Sequence, residues 1–285
     1  MKLDLLPEDC FAHILSFTSP RDACRASVVS SAVRSSADLD SVWGNFLPSD
    51  YADIISRLAS PITCSTKKEL FLRLCKPHLI DEGKKIISLE KSTGKKCYLL
   101  SSRELSIAWA SNPLYWSWKP HPQSRFSEVI ELRTICWLQI HGNFNTQILS
   151  PRTVYGVYLI IKFADRAYGL DTLPSEISLK VGNFKIQRKV FLRRQDKTKE
   201  ALERVLFLNR IERLRSRIHG RNGSSSVGPC EREDGWTEIE LGSFYNDGEE
   251  NKEVEVNLTE ITGEHLKGGL IIEGIELRPK NEWHI

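Results

Sequence analysis

The chain has 285 residues, 40% apolar and 27% charged, which is the composition of a globular protein long enough for two domains. Its formal net charge of +3 is too small to indicate nucleic-acid binding by itself. It contains no long uncharged apolar run, and its N-terminus is acidic and helix-patterned, so the sequence predicts neither a membrane span nor a secretory signal.

The first fifty residues have the pattern of three short amphipathic helices. Pro7 suits a first helical turn, and an apolar stripe then recurs at three- and four-residue spacing at Cys10, Phe11, Ile14, Leu15 and Thr18. Ser19 and Pro20 form a second start signal, and the stripe that follows runs from Cys24 to Val33. A third helix is predicted through Val42, Trp43, Phe46 and Leu47. So small a block barely supports its own core, so it either caps the rest of the chain or docks onto a partner.

The order of these features resembles the F-box, the adaptor-binding module of cullin-type ubiquitin ligases. The features are Leu5-Leu6-Pro7, Ile14-Leu15, the run from Cys24 to Val33, and Trp43. The resemblance implies that a Skp-type adaptor and a cullin complex are partners. It also implies which positions face the adaptor or support that face: Leu6, Pro7, Ile14, Leu15, Val28, Val29 and Trp43.

Residues 51–79 are expected to form a helical connector between this F-box, residues 1–50, and a second domain. Ser65-Thr66 followed by Glu69 resembles a capping box, and the helix that it starts is predicted to end before Pro77. We expect this helix to fix the F-box against the second domain. Cys64, Cys75 and His78 lack a second Cys/His pair at zinc-site spacing, so core and surface roles are favoured and no metal site is expected.

From residue 80 onward the chain has the pattern of many short strands separated by turns. The segments 84–91 and 95–102 flank Ser-Thr-Gly and predict a hairpin, and the segment 153–165 is apolar on both faces, as in a buried central strand. No crossover helices alternate with the strands, so a parallel sheet is not expected. The sequence therefore predicts an α+β chain in which residues 80–285 form an antiparallel β-sandwich.

Five strings of this second domain occur in the order of a known plant family. They are SIAWASNPLYWSWKP, ELRTICWLQIHGNF, YGVYLIIKF, GWTEIELGSFYNDGEENKEVEVNLTEI and GGLIIEGIELRP. Residues 80–279 thus resemble phloem protein 2 and the related tobacco-agglutinin (Nictaba-like) lectins. The resemblance implies a jelly-roll-like lectin domain that binds N-acetylglucosamine oligomers or N-glycan cores.

Four positions match the residues implicated in carbohydrate binding in these lectins: Trp109, Trp116, Glu253 and Glu260. A sugar site needs a flat aromatic ring for the C–H face of a pyranose and polar groups for its hydroxyls. Alternation along the segment 103–111 places Trp109 on the face of Leu105 and Ile107, so a structural role in the core is at least as well supported for it as a stacking role. Trp116 is the tryptophan expected to reach solvent.

The two acids raise a question of geometry. Glu253 and Glu260 are seven residues apart, so in one uninterrupted strand they point to opposite faces. Both can serve one site only if the strand ends or bulges near Thr259. The alternative is that Glu253 and Glu255 belong to the solvated face of an amphipathic strand.

Residues 187–226 depart from the lectins by their length and their basic character. Their middle part, from Lys199 to Ile218, has apolar residues at helical spacing: Ala201, Val205, Leu208, Ile211, Leu214 and Ile218. The segment is either a basic arm that contacts cargo, an acidic partner or nucleic acid, or a solvated helix followed by a flexible loop. The solvated helix is favoured, and nucleic acid is not an expected partner.

Together these observations predict a non-catalytic substrate receptor of an SCF-type ubiquitin ligase that needs no cofactor. A cytosolic lectin without a ligase role and a protein-binding adaptor on a lectin-like scaffold are the alternatives. A glycosidase is disfavoured because nothing in the sequence fixes two carboxyl groups at a catalytic separation. The seven cysteines lack disulfide-framework spacing, so free thiols and the cytoplasm or nucleus are expected.

Overall fold

The computed structural model describes residues 7–193, 228–263 and 265–280. Leu6 and most of the basic segment lie outside these ranges, so the predictions made for them stay predictions. The described chain begins with six helices: α1 (Glu8–Ser16), α2 (Pro20–Ala26), α3 (Ser31–Asp38), α4 (Asp40–Phe46), α5 (Tyr51–Ser56) and α6 (Lys67–Leu74). Among the described residues, no helix has the length and apolar content needed to cross a membrane.

The N-terminal block contains four short helices instead of the three predicted. The second start signal is confirmed, because Ser19 Oγ accepts a hydrogen bond from the Asp22 N–H and Pro20 is the first residue of α2. The stripe from Cys24 to Val33, however, is divided between two helices. Ser30 caps α3 by accepting from the Val33 N–H, so the backbone leaves the helical conformation between α2 and α3.

The predicted helix start of the connector is confirmed, with Thr66 as the N-cap and the Glu69 carboxylate bonded to Ser65, one residue before it. Thr66 Oγ1 accepts from the N–H of Glu69, and the Glu69 carboxylate accepts from the N–H of Ser65. The helix that follows, α6, packs on α4 through buried rings, with the centroids of Trp43 and Phe71 5.2 Å apart. The connector therefore shares a core with the N-terminal helices.

The rest of the described chain forms antiparallel strands, which makes the fold α+β. The strands are β1 (His78–Ile80), β2 (Lys85–Leu89), β3 (Lys96–Ser101), β4 (Ser106–Ile107), β5 (Trp116–Lys119), β6 (Val129–Leu132), β7 (Leu138–Asn145), β8 (Thr153–Tyr168), β9 (Ser175–Val181), β10 (Phe184–Val190), β11 (Cys230–Glu231), β12 (Thr237–Asn246), β13 (Glu253–Glu260) and β14 (Gly268–Pro279).

These strands form two sheets. The nine-stranded sheet has the order β1-β2-β3-β14-β8-β12-β11, with β6 also paired to β14 and β5 paired to β6. The five-stranded sheet has the order β10-β9-β13-β7-β4. Most buried side chains of the two sheets belong to one apolar core, which continues into the helices, and a smaller buried cluster around Val129 and Trp236 lies apart from it. The predicted central strand is confirmed, because β8 lies between β14 and β12 and is buried on both faces from Tyr155 to Ile161.

Close contacts join the helices to the β domain, which is the part of the chain from β1 to β14. Lys96 at the start of β3 pairs with Asp50 at 2.9 Å, just before α5. The β2–β3 turn places Gly94, with φ +72°, so close to the end of α4 that a Cβ there would lie 2.5 Å from the Phe46 carbonyl oxygen. Such contacts fix the orientation of the helical block relative to the sheets.

One end of the β domain lies next to the helices, and we call it the helix end. It contains Lys96, which pairs with Asp50, and Ser150, whose Oγ accepts from the Lys96 N–H. The opposite end is called the far end. β13 begins with Glu253 at the helix end, where the Thr146 N–H donates to the Lys252 carbonyl, and finishes seven residues later at Glu260. At about 3.3 Å per residue, the two termini of β13 are roughly 23 Å apart. This distance separates any site at one end of the domain from a site at the other.

Candidate functional site

The N-terminal helices present an apolar surface that the rest of the chain leaves uncovered. Four large apolar side chains there are between 51% and 77% exposed: Ile14, Phe17, Val28 and Val29. Ile14 and Phe17 are one turn apart at the end of α1, and the two valines form the turn between α2 and α3. Exposed apolar clusters of this kind mark interaction sites in soluble proteins.

The residues predicted for adaptor binding divide into a surface set and a supporting set. Ile14, Val28 and Val29 are on the surface, whereas Leu15 and Trp43 are buried beneath it. The Trp43 indole N–H donates to the Ala37 carbonyl at 2.7 Å, which ties α4 to α3. Pro7 is exposed at the N-cap position of α1, immediately before the helix, and Leu6 lies outside the described residues.

Phe17 was not among the residues predicted from the sequence, although it is the most exposed of the four apolar side chains of this surface. Its ring contacts His13 edge to face, with centroids 4.9 Å apart. The available signal was its spacing of three residues from Ile14, which places both side chains on one side of the helix end.

The structure exposes Trp109 and buries Trp116. Trp109, which alternation placed on the core face, is 48% exposed, because β4 ends at Ile107 and the chain then turns. Trp109 has φ +62° in this turn, and the Ala110 N–H bonds back to the Ile107 carbonyl. The alternation that predicted a buried Trp109 therefore ends two residues before it.

Trp116 was expected to reach solvent but is only 2% exposed. Its indole N–H donates to the Ala108 carbonyl at 2.9 Å, and the indole N–H of Trp118 donates to the Ala110 carbonyl at 3.1 Å. These two bonds hold the turn that displays Trp109. In this arrangement Trp116 supports Trp109 from below and cannot itself stack on a ligand in solvent.

Glu260 is buried at the far end of the β domain. Its carboxylate lies 2.6 Å from Nζ of Lys267, whose ammonium also donates to the Cys136 carbonyl at 2.7 Å. The second carboxylate oxygen of Glu260 and Nε2 of His265 are buried without a hydrogen-bond partner among the described residues. Both side chains flank Gly263, so two unsatisfied polar groups lie close together behind the surface loops.

Glu253 lies at the helix end, on the outer face of the five-stranded sheet. It is exposed and accepts a hydrogen bond from Asn143 Nδ2 at 2.5 Å. β13 pairs with β7 in unbroken register from Glu253 to Glu260, so no bulge occurs near Thr259. The two acids therefore point to opposite faces and lie at opposite ends of the domain, and the structure does not bring them together.

Comparison with known proteins agrees with this architecture. The family model of phloem protein 2 matches residues 95–279, and that of the F-box domain matches residues 3–45. The chain belongs to the phloem protein 2 family of F-box proteins. Relatives from Arabidopsis thaliana include F-box protein PP2-B15, 48% identical over 97% of this chain and 96% of its own length. F-box protein VBF is 44% identical over 97% of this chain and 99% of its own length.

The two family matches enclose different parts of the site. The F-box match contains every residue predicted to face or support the adaptor surface, and its helices carry the exposed apolar cluster. The phloem protein 2 match contains Trp109, Trp116, Glu253 and Glu260. Of these four residues, Trp109 and Glu253 are exposed to solvent, and Trp116 and Glu260 are buried. The two exposed residues lie on separate parts of the β domain.

Proposed function

We propose that the chain is the substrate-receptor subunit of an SCF-type ubiquitin ligase. Its F-box docks on a Skp-type adaptor of the cullin complex, and its β domain holds the cargo. The observation that carries this proposal is the exposed apolar cluster of Ile14, Phe17, Val28 and Val29 within the F-box match. The chain itself performs no catalysis, because other subunits of such a ligase transfer ubiquitin.

The energetics of the apolar cluster are compatible with docking. Covering one large apolar side chain contributes about 1.5–3 kcal/mol. The free energy gained by covering four such side chains therefore exceeds the lower estimates of the free energy lost when two proteins associate. Leu15 and Trp43, buried beneath the cluster, keep its backbone in place without contacting the adaptor themselves.

The proposed organisation is an F-box of residues 1–50, a connector of residues 51–79 and a jelly-roll-like β-sandwich of residues 80–285. The contacts of Lys96 with Asp50 and of Gly94 with Phe46 support a rigid connection between the helices and the β domain. A rigid connection holds cargo at a constant distance from the ubiquitin donor. The proposed compartment is the cytoplasm or the nucleus, where such ligases operate.

The proposed cargo is a glycan, such as an N-acetylglucosamine oligomer or an N-glycan, or a protein that carries one. The exposed ring of Trp109 supports stacking on a sugar. The burial of Trp116 and Glu260 favours a second candidate, a receptor of the same class that binds protein cargo without sugar. A glycan array on the full chain distinguishes the two, since only the first predicts a positive signal.

Co-purification with a Skp-type adaptor tests the docking proposal. Val28→Asp combined with Val29→Asp places two charges on the exposed turn between α2 and α3, so we expect loss of the adaptor without loss of folding. Leu72→Asp is the matched control, because Leu72 is an exposed apolar residue of α6 outside the F-box match. Retention of the adaptor by the double variant would refute docking through this surface.

A further inference from the structure

The outer face of the five-stranded sheet carries a cleft of about 540 Å³. This volume lies within the range of pockets that hold small ligands in proteins. Its lining is dominated by neutral hydrogen-bonding side chains that come from four neighbouring strands: Gln139, Ser178, Gln187, Asn257 and Thr259. None of these positions belongs to the four that the lectin resemblance assigns to sugar binding.

Strand register aligns the cleft residues in rows across the sheet. In one row, cross-strand partners follow each other from β10 to β4: Gln187, Ser178, Asn257, His141 and Ser106. The adjacent row contains Lys189, Glu176, Thr259 and Gln139. With strands about 4.8 Å apart, the first row spans roughly 19 Å, so the face can contact several units of an extended polymer.

Ion pairs neutralise several charges at the cleft and leave the neutral groups available. Arg188, which also lines the cleft, lies 3.9 Å from Glu240 of β12. Lys189 lies 3.0 Å from Glu176, and Lys180 lies 2.6 Å from Glu255. By contrast, four neutral side chains of the cleft make no side-chain hydrogen bond to another described residue: Gln139, Ser178, Gln187 and Thr259. Amides and hydroxyls both donate and accept, which is the chemistry that matches uncharged hydroxyl groups of a ligand.

An aromatic ring stands at the far end of the same face. Trp137 is half exposed and directly precedes β7. Trp137 and Gln139 are exposed and Leu138 between them is buried, which places Trp137 on the side of Gln139, the outer side of the sheet. A flat ring beside a row of amides and hydroxyls presents an apolar surface and hydrogen-bonding groups together. A sugar ring offers the complementary pair, an apolar C–H face and hydroxyl edges.

We propose that this cleft binds a neutral oligosaccharide. Trp137 stacks on one sugar ring, and the side chains of Gln139, Ser178, Gln187 and Thr259 form hydrogen bonds with hydroxyl groups of the chain. This inference rests on the proposed function in assigning glycan cargo, and it adds a binding surface on the outer sheet face to the exposed ring of Trp109. The paired charges at the cleft disfavour a charged polysaccharide.

Calorimetric titration of the full chain tests the assignment. The probes are cellotetraose, mannotetraose and tetra-N-acetylchitotetraose, with tetragalacturonate as the charged comparator. We expect at least one neutral probe to bind and the charged one to bind more weakly. Trp137→Ala, and separately Gln139→Ala combined with Thr259→Ala, should each weaken binding by about tenfold.

Tyr245→Ala is the matched control, because Tyr245 is an exposed aromatic residue of β12 that lines a different cavity with Phe184. It should leave binding of the neutral probe unchanged. No binding of any neutral probe by the wild-type chain would overturn the proposal. Binding that both cleft variants retain, or that only Tyr245→Ala abolishes, would also overturn it.

Adaptor co-purification measured on the same preparations separates this inference from the ligase proposal. A chain that binds the oligosaccharide through the cleft but not the adaptor retains the cleft assignment and loses the ligase role. A chain that binds the adaptor but none of the neutral probes loses the cleft assignment alone. The variant that combines Gln139→Ala with Thr259→Ala changes only exposed or half-buried polar groups. It therefore reports on the cleft even if Trp137→Ala does not fold.

Discussion

The carboxylate of Glu260 lies 2.6 Å from the ammonium of Lys267, and the two side chains retain only 3% and 0% of their exposure. The backbone of Lys267 also exchanges both of its hydrogen bonds with Ile135. The pair therefore fastens the loop after β13 to the loop before β7. In this chain the acid that resemblance assigns to sugar binding has a structural partner, and its contribution to stability can be measured.

Lys267→Met should destabilise the fold strongly. It leaves the Glu260 carboxylate buried without a counter-charge, a change that costs about 3–5 kcal/mol in proteins. Adding Glu260→Leu removes that charge, so the double variant should recover much of the loss. Urea unfolding of both single variants and the double variant gives the coupling energy.

Lys180→Met is the control for this cycle. Lys180 and Glu255 form an ion pair at a similar distance, 2.6 Å, on the exposed sheet face. Breaking an exposed pair costs at most about 1 kcal/mol. Equal losses for Lys267→Met and Lys180→Met would show that burial of the Glu260 pair has no energetic consequence.

The ion pair between Arg57 of the connector and Asp81 of the β1–β2 turn predicts a pH-dependent stability. Arg57 donates two hydrogen bonds to Asp81, at 2.9 and 2.8 Å, and these bonds hold the pKa of Asp81 below its usual range. A lowered folded-state pKa stabilises the protein above the unfolded-state pKa of about 3.9. The stabilisation is lost as the pH falls through the folded-state pKa.

Asp81→Asn should therefore cost about 1 kcal/mol at neutral pH and almost nothing in strong acid. Asparagine tolerates the positive φ of this position, 52°, so the substitution isolates the charge. Urea unfolding at neutral pH and at the most acidic pH where the wild type folds measures the difference. Asp53→Asn, at a more exposed partner of Arg57, is the control, and a deficit of Asp81→Asn that does not change with pH would contradict the assignment.

The parts of the fold that could be predicted are those fixed by neighbouring residues. Ser19 and Thr66 cap helices through residues three positions away, and the apolar composition of β8 alone indicates a central strand. The exposed positions of Val28 and Val29 follow less directly. They depend on Ser30 starting a new helix, and the sequence pattern was equally compatible with one continuous stripe.

The parts that could not be predicted depend on distant contacts. β4 ends early because the indoles of Trp116 and Trp118 bond to carbonyls eight residues before them. The cleft on the five-stranded sheet requires Gln139 and Thr259, 120 positions apart, to be cross-strand partners. Neither relationship leaves a local pattern in the sequence, so the exposed tryptophan and the cleft were both missed.

Gly94→Ala should weaken the contact that holds the helices against the sheets. A Cβ at Gly94 would lie 2.5 Å from the Phe46 carbonyl oxygen and 3.3 Å from the Phe71 ring, so α4 must move. Gly83→Ala is a close match, because Gly83 has φ +79° and no atom within 4 Å of its Cβ position. Both variants lose about 1–2 kcal/mol from the left-handed backbone conformation, and Gly94→Ala should lose more.

The excess loss of Gly94→Ala over Gly83→Ala, measured by thermal or urea unfolding, isolates the contact between α4 and the β2–β3 turn. The reactivity of Cys75, which is half-buried next to α6, provides a second measurement. Burial raises the pKa of this thiol to about 11, so it should react slowly in the wild type and faster in Gly94→Ala. Equal stability and equal thiol reactivity in the two variants would show that the turn does not brace the helices.

Trp116→Ala and Trp109→Ala should have opposite consequences. Trp116 is buried, and its indole bonds to Ala108, so its removal should cost about 3–5 kcal/mol and release the turn. Trp109→Ala removes an exposed ring that packs edge to face on Tyr115, so we expect a loss within about 1 kcal/mol. Urea unfolding followed by far-UV circular dichroism compares the two. If Trp109→Ala proved the more destabilising, the turn would be held by the exposed ring, and Trp109 would then be a structural residue instead of one available to cargo.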